Sequence, residues 1–555
     1  MKKNLLLLLF ISASALVKAQ WTNNTFLNTV VRDSIGTGEE TPLSASRSDG
    51  KTYVSFFEQY NGSYQMRMQL LDSGGNKLWT YAGLIVSSFP QSTALYRYDL
   101  KVDQNDNAIV AFQDTRTGGN LNIVAYKIDG SGNFLWGANG IQLIDPVSTE
   151  GLGPAIGITN SNNVIIGWAA DASPSKWIAF EKISAAGTIL WSSQHRIIDS
   201  TNVKKYSRPT MTASGSDDFV MLYAQETGTV FPPTSKMYAQ HYDTSGTGVW
   251  ASSVLVSSKA IPFFFFQKAV SDLNGGFYAA FNTSNASFPS QTDVYFQHVD
   301  SAGMLWNAVG NIACALPSSQ HFTPAARFDA ANNSFWILIQ VTDISQGMSG
   351  VYIQKSDAAG NVLLGANAAQ LVGISAAYYN PNDFTITSDG VISIYTVGSN
   401  ALSQTLAAIK NDFSGALMWG GNPVTICSNV SGKSRLSTGL FLNNQVVAVW
   451  SDTRNDYGVY AQNVTNDGLI GIITAAAEIK NKNTLSVYPN PFENKLTIST
   501  PQFKEPSILK VFSVLGKEIY SQIISSANSE LITTNFTKGV YFIHFNNYFV
   551  KVIKQ

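Results

Sequence analysis

Short apolar runs recur along this chain, each following a turn of Asn, Asp, Gly or Ser. Ala108–Phe112, Val164–Trp168 and Phe219–Tyr223 are examples. The runs end at Phe56, Phe112, Trp168, Tyr223, Phe281, Ile339, Tyr395 and Trp450, with successive ends 55 to 58 residues apart. Brief runs of β-branched and aromatic residues bounded by turn residues predict strands, and a fixed period predicts a repeat architecture.

Two further columns keep the same period. Turn strings such as Asp129-Gly130-Ser131-Gly132 lead into Trp79, Trp136, Trp191, Trp250, Trp306 and Trp419, with Leu364 and Ile472 in the same column. Pro42, Pro154, Pro209, Pro324 and Pro381 precede the next apolar run at nearly the same offset. The prolines are expected at the start of a first strand, where a missing N–H is tolerated. Unit two reads as four strands, Asp99–Asp103, Ala108–Gln113, Asn122–Asp129 and Phe134–Ile144. Four-stranded units of this length repeated several times predict an all-β fold, a β-propeller of eight blades, or seven if one unit is displaced. Seven units have a fourth strand after the Trp column, whereas the eighth has only Ile472–Thr474. Residues 26–32 form an orphan strand before the first unit, and Val31 stands ahead of Pro42 as Ile198 stands ahead of Pro209. The N-terminal strand is therefore expected to complete the last unit and close the ring, leaving no long exposed edge. On this basis residues 20–474 are the repeat domain and 475–484 a linker.

From residue 485 the pattern changes. Leu485-Ser486-Val487-Tyr488-Pro489-Asn490-Pro491-Phe492 opens a segment that continues through Val514-Leu515-Gly516-Lys517, Lys538-Gly539-Val540-Tyr541-Phe542 and a basic final strand to Gln555. Alternating strands with Gly and Pro turns predict a small β-sandwich. The ordered motifs, with Tyr488, Pro489, Asn490, Pro491, Gly516, Gly539 and Tyr541 as their markers, closely resemble the type A C-terminal sorting domain of the type IX secretion system. That resemblance implies passage across the outer membrane through the secretion machinery. It also implies removal of the domain by a sortase-like protease, with release or attachment at the cell surface. The repeats more loosely resemble propeller repeats of exported Bacteroidetes proteins, through strings such as Val449-Trp450-Ser451-Asp452-Thr453-Arg454. A transport signal says nothing about what its cargo does.

The start of the chain agrees with export. Lys2 and Lys3, the apolar Leu5–Ile11 and the small-residue site at Val17-Lys18-Ala19 predict a signal peptide over residues 1–19. No later run is long enough to predict a spanning helix. The 555-residue chain has a formal net charge of −1, which offers no basic excess for a phosphate backbone and argues against nucleic acid as a partner. Cys314 and Cys427 are expected in outer strands two units apart, too far for a disulfide, and are read as free thiols.

Candidate chemistry is sparse. The five histidines show no ligand spacing for zinc, no Asp-rich calcium loop occurs, and no cofactor is expected. The Asp-Gly-Trp strings depart from the spacing of sialidase Asp-boxes, and read as tight turns with a Trp packed between units. Asp114 and Asp452 occupy equivalent positions after the second strand, with Glu58 and Glu226 at the same level. They are weak candidates for paired-carboxylate glycosidase chemistry, against repeated strand-end ion pairs. Links between units carry aromatics, including Tyr98, Phe263, Phe264, Phe265, Phe266, Phe322, Tyr378 and Tyr379. On one face of a propeller these would suit sugar stacking or protein contact. The sequence therefore favours an exported binding protein with a glycan or protein ligand, and leaves a polysaccharide-active enzyme as the alternative.

Overall fold

A computed structural model describes residues 21–91, 97–116, 118–143, 150–215, 217–228, 231–262, 267–284, 291–471, 486–499, 506–513, 517–545 and 548–555. The chain forms two compact units, Met1–Ile472 and Ile473–Gln555. The signal peptide, the linker, Ile472 and Phe263–Phe266 lie outside the described residues.

Among the described residues the first unit contains eight four-stranded antiparallel sheets and no α-helix. Sheet one is Glu39–Ser46, Thr52–Tyr60, Ser63–Leu71 and Leu84–Ser87, hydrogen-bonded in chain order. Sheets two to seven repeat this meander, opening at Asp99, Glu150, Lys204, Lys268, Ser319 and Tyr378. The eighth takes Lys433–Thr438, Gln445–Asp452 and Gly458–Thr465 from the end of the unit. Its fourth strand is Thr29–Arg32, paired to the third with Thr29 opposite Ala461 and Val30 opposite Tyr460. Each first strand neighbours the first strand of the next sheet, and that of sheet eight neighbours that of sheet one.

The second strands are buried along both faces, as the uninterrupted apolar runs require. Apolar side chains fill the space between each pair of neighbouring sheets. Phe57, Phe112 and Tyr126 pack between sheets one and two. Trp21, Val31, Phe56 and Val449 pack between sheets eight and one. The first unit is therefore a β-propeller-like repeat whose core is divided into layers between sheets.

The proline column sits differently from its expected place. The first strands begin earlier than Pro42, Pro154, Pro209 and Pro324, which fall inside register shifts within the strand, as between Glu40 and Leu43 or Ser207 and Thr210. A bulge leaves one residue out of the ladder, so a residue without an N–H costs nothing there. Fourth strands are shorter than expected in unit two. Phe134 makes only an isolated bridge to Ile128, and the strand itself is Ile141–Leu143.

The Trp column forms a ladder from sheet to sheet. The indole N–H of Trp79 donates to the Gly130 carbonyl in the sheet-two turn at 3.2 Å, and Trp250 to Ser301 at 2.9 Å. Trp136, Trp191, Trp306 and Trp419 reach Ala185, Thr244, Ala358 and Asn466 in the same way. Each of these indoles except Trp191 lies over the glycine of that turn, and at Gly246 the His195 ring takes that place. A Cβ on Gly187, whose φ is +93°, would stand 2.6 Å from Trp136. The turn Asp accepts backbone N–H groups, as Asp357 does from Ala359 and Asn361, and its hydrogen bond from the Asn361 side chain helps hold its carboxyl below the ordinary range. Leu364 replaces the indole between sheets six and seven. The position between sheets eight and one is taken by Trp21, which donates to Ser73 at 2.8 Å. Trp21 stands one repeat length ahead of Trp79, a sequence signal that the Trp column as read above passed over.

The second unit is a two-sheet sandwich. Ser486–Tyr488, Lys495–Ser499 and Asn528–Ile532 form one sheet, and Ser507–Ser513, Glu518–Ile524, Gly539–Phe545 and Tyr548–Lys554 the other. Leu496, Ile498, Leu509, Val511, Ile543 and Val552 fill the core between them.

Candidate functional site

The eight first strands together border a cavity of about 410 Å³. Its charged lining is Arg97, Asp99 and Lys101 of sheet two, Lys268 of sheet five, Arg327 of sheet six and Asp383 of sheet seven. The two carboxylates are already engaged. Asp383 accepts from Arg327 at 2.9 Å and from the Thr438 hydroxyl at 2.7 Å, and Asp99 accepts the Ile156 N–H at 2.9 Å. Four cations against two committed anions leave the cavity positive. Burial, then the neighbouring charge of Arg97, pushes the Lys268 ammonium down to about 8 against the pull of Asp383.

Asp114 and Asp452 stand at the ends of the second strands, fully buried and fully partnered. Asp114 pairs with Arg116 at 2.7 Å. Asp452 meets Arg454 at 2.7 Å and Lys433 at 3.3 Å, and accepts the Ser431 hydroxyl at 2.6 Å. These cations and hydrogen bonds outweigh burial and keep the Asp452 carboxyl below its ordinary value. Glu58 lies between Arg32, 2.7 Å away, and Arg67, while Glu226 takes the Ser207 hydroxyl and faces Arg208 at 3.8 Å. A carboxylate held this way is a structural ion pair, and removing its partner rather than its substrate is what would expose it. Glu39, opposite Glu58 in the ladder, is different. Burial pushes it up to about 7 against hydrogen bonds from Ser34 and Thr37 and the charge of Arg32. Sequence reasoning missed it because nothing local marks a strand-initial Glu as buried.

The aromatics separate. Tyr98, expected on an exposed face, is only 8% exposed. Its hydroxyl donates to the Thr41 carbonyl at 2.8 Å and its ring edge meets Phe57. Its place in the proline column, immediately ahead of the first strand that opens at Asp99, explains the burial. Tyr378 is 38% exposed. Tyr379 is half-buried against Tyr395, and its carbonyl accepts from Gln340, which stands opposite the half-buried Phe322 in the sheet-six ladder. The structure therefore brings Phe322 and Tyr379 toward one sheet-six to sheet-seven junction.

Both cysteines are free and buried. His321 is buried beside Asp293, at 3.1 Å, and its imidazole is pushed up to about 9. Burial opposes that shift, while the hydrogen bonds to Asp293 and Cys314 drive it. Among the described residues no group of three or more His, Cys, Asp or Glu is placed to hold a metal ion, and no helix is long and apolar enough to cross a membrane.

In the second unit the Tyr488-Pro489-Asn490-Pro491 turn is tied to the last strand. Asn490 donates to the Lys551 carbonyl and accepts the Ile553 N–H, both at 2.9 Å. Tyr488 is exposed, while Tyr541 is buried with its hydroxyl donating to the Thr537 carbonyl at 2.6 Å. Gly539 adopts a φ of 154° with open space around it, and Gly516 lies outside the described residues.

Residues 486–555 match the family described as the Secretion system C-terminal sorting domain. No curated protein matches the chain. Among solved structures, the chain is similar to the polysaccharide lyase Uly1, with 11% identity over 66% of this chain and 89% of that one, at a TM-score of 0.42. A protein of unknown function from Dyadobacter fermentans gives 7% identity over 80% and 98%, at 0.38. An α-L-arabinanase from Penicillium chrysogenum gives 12% identity over 57% and 98%, at 0.35.

Proposed function

From the sorting domain at residues 486–555, we propose that this chain is an exported binding protein, displayed on or released from the surface of a Bacteroidetes-type cell. The domain indicates export to the cell surface or extracellular space and engagement of the type IX secretion machinery. The finer parts of the reading are a signal peptide over residues 1–19, a linker over 475–484, and cleavage of the tail by a sortase-like protease. Residues 20–474 form an eight-bladed propeller closed by the N-terminal strand. The pairing of Thr29–Arg32 with the last sheet and the cyclic order of first strands support closure.

The observation that carries the binding role is the cavity bordered by all eight first strands, rich in charge and hydrogen-bonding groups. The ligand is a glycan or an extracellular protein, with Tyr378, Tyr379, Phe322 and the Phe263–Phe266 segment as further candidate contacts and Tyr98 as a support beneath the lining. The burial and pairing of Asp114 and Asp452 weigh against their use as glycosidase carboxylates.

The test is retention of the exported protein on a panel of neutral and acidic polysaccharides and matrix proteins, with product release scored in parallel. Retention without products supports binding. Product release abolished in Asp114→Asn or Asp452→Asn, in variants whose thermal unfolding is unchanged, would establish an enzyme instead. Deleting residues 486–555 should confine the protein to the periplasm.

A further inference from the structure

The cavity also limits what kind of ligand suits it. Its cations Lys101 and Lys268 stand among lining carboxylates that are already engaged, Asp383 by Arg327 and Thr438 and Asp99 by the Ile156 N–H. A ligand that supplied a negative oxygen would offset part of the lining's excess positive charge, and in a partly buried site such a charge-assisted contact is strong. Two buried amide oxygens in the same lining, Gln267 Oε1 and Asn382 Oδ1, have no hydrogen-bond donor among the described residues. Gln267 is fixed by its own Nε2, which donates to the Arg208 carbonyl at 3.0 Å, so its oxygen is held in place. A buried acceptor left without a donor is costly, and a hydroxyl of the ligand would relieve it. Cations call for an anionic oxygen and the amides call for hydroxyl donors. Both needs are met by one chemical class, the hydroxylated carboxylic acids. The volume, about 410 Å³, falls in the usual range of small-molecule sites, roughly 300–1,000 Å³.

We propose that this cavity binds the uronic-acid unit of an acidic glycan, its carboxylate seated between Lys268 and Lys101 and its hydroxyls donating to Gln267 and Asn382. The proposal rests on the binding reading above and adds the ligand class. The groups facing Lys268 are Arg97, Asp99 and Lys101 of sheet two, Arg327 of sheet six and Asp383 of sheet seven. With Lys268 set near 8, affinity for the acid should fall as pH rises through that value, because the neutral amine offers the carboxylate no charge.

The test is calorimetric titration of the full exported protein with digalacturonate, inorganic sulfate and maltose. Digalacturonate should bind at pH 7, weaken about tenfold by pH 9.5, and weaken about tenfold in Lys268→Met at pH 7, with the variant's binding no longer changing over this pH range. Lys101→Met should weaken it at both pH values, which separates charge from a folding defect at Lys268. Sulfate binding more tightly than digalacturonate, or maltose binding equally well, overturns the assignment. Retention on some polysaccharide of the panel without any digalacturonate signal also overturns it, and leaves the broader binding reading standing.

Discussion

The rim and the axis of the repeat unit follow opposite rules. At the rim, seven of the eight junctions between sheets use one device, an indole donating to a turn carbonyl, and at six of them the indole also lies over the turn glycine. At the axis the charged and amide side chains differ from one first strand to the next. Sheet two supplies Arg97, Asp99 and Lys101, sheet five Lys268, and sheet seven Asn382 and Asp383. Every junction poses the same packing problem, so duplication keeps one solution. The first strands share a single enclosed space, and repeating one charged residue eight times there would be prohibitively repulsive. The difference teaches that the repeated positions carry the fold and the divergent ones are where to seek function.

Breaking the rim should cost most. Trp21→Ala removes the indole that joins sheet eight to sheet one and leaves a void beside Val31 and Phe56. A loss of about 3–5 kcal/mol is expected in chemical unfolding. Gly187→Ala asks a Cβ to stand 2.6 Å from Trp136 at a φ of +93°, and should cost about 1–3 kcal/mol by the same measurement.

A titration sharpens the contrast. Glu39 is raised from 4.5 to about 7 in the folded protein, so its stabilising contribution is complete below pH 4.5 and is lost as pH rises through 7. His321, raised to about 9, gives up its own contribution between about 6.5 and 9. Thermal unfolding should therefore drop between pH 5 and pH 9, and Glu39→Gln should flatten the part between 5 and 7. Asp357 at the rim, whose carboxyl is lowered, acts at the acid end instead: its contribution is lost as pH falls below the ordinary carboxylate range.

The smallest effect is expected at the axis. Lys268→Met should not lower unfolding stability at pH 7, since it removes an ammonium that burial and the charge of Arg97 disfavour in the folded protein. A large loss there would mean that the axis, too, is built for stability.

Much of this was legible beforehand because it is periodic. Runs ending at Phe112 and Trp168 became buried second strands, and the tail motifs around Tyr488 and Tyr541 became the turns and strands of a separate sandwich. The site was less legible. Tyr98 looked like a surface aromatic, yet Thr41 and Ser55 from the neighbouring sheet enclose it. Asp114 and Asp452 looked like a matched pair of acids, but the Arg two residues on in each case neutralises its own aspartate.

The all-β class, the repeat period and the sorting tail can be read from the amino-acid sequence, because each depends on local alternation, turn chemistry or contiguous motifs. Only the tertiary structure decided which polar residues meet. Lys268 and Arg97 belong to sheets far apart along the chain and share one cavity because the first strands converge on a common space. Convergence of that kind depends on the register and twist of every sheet at once, and no local stretch of residues encodes it.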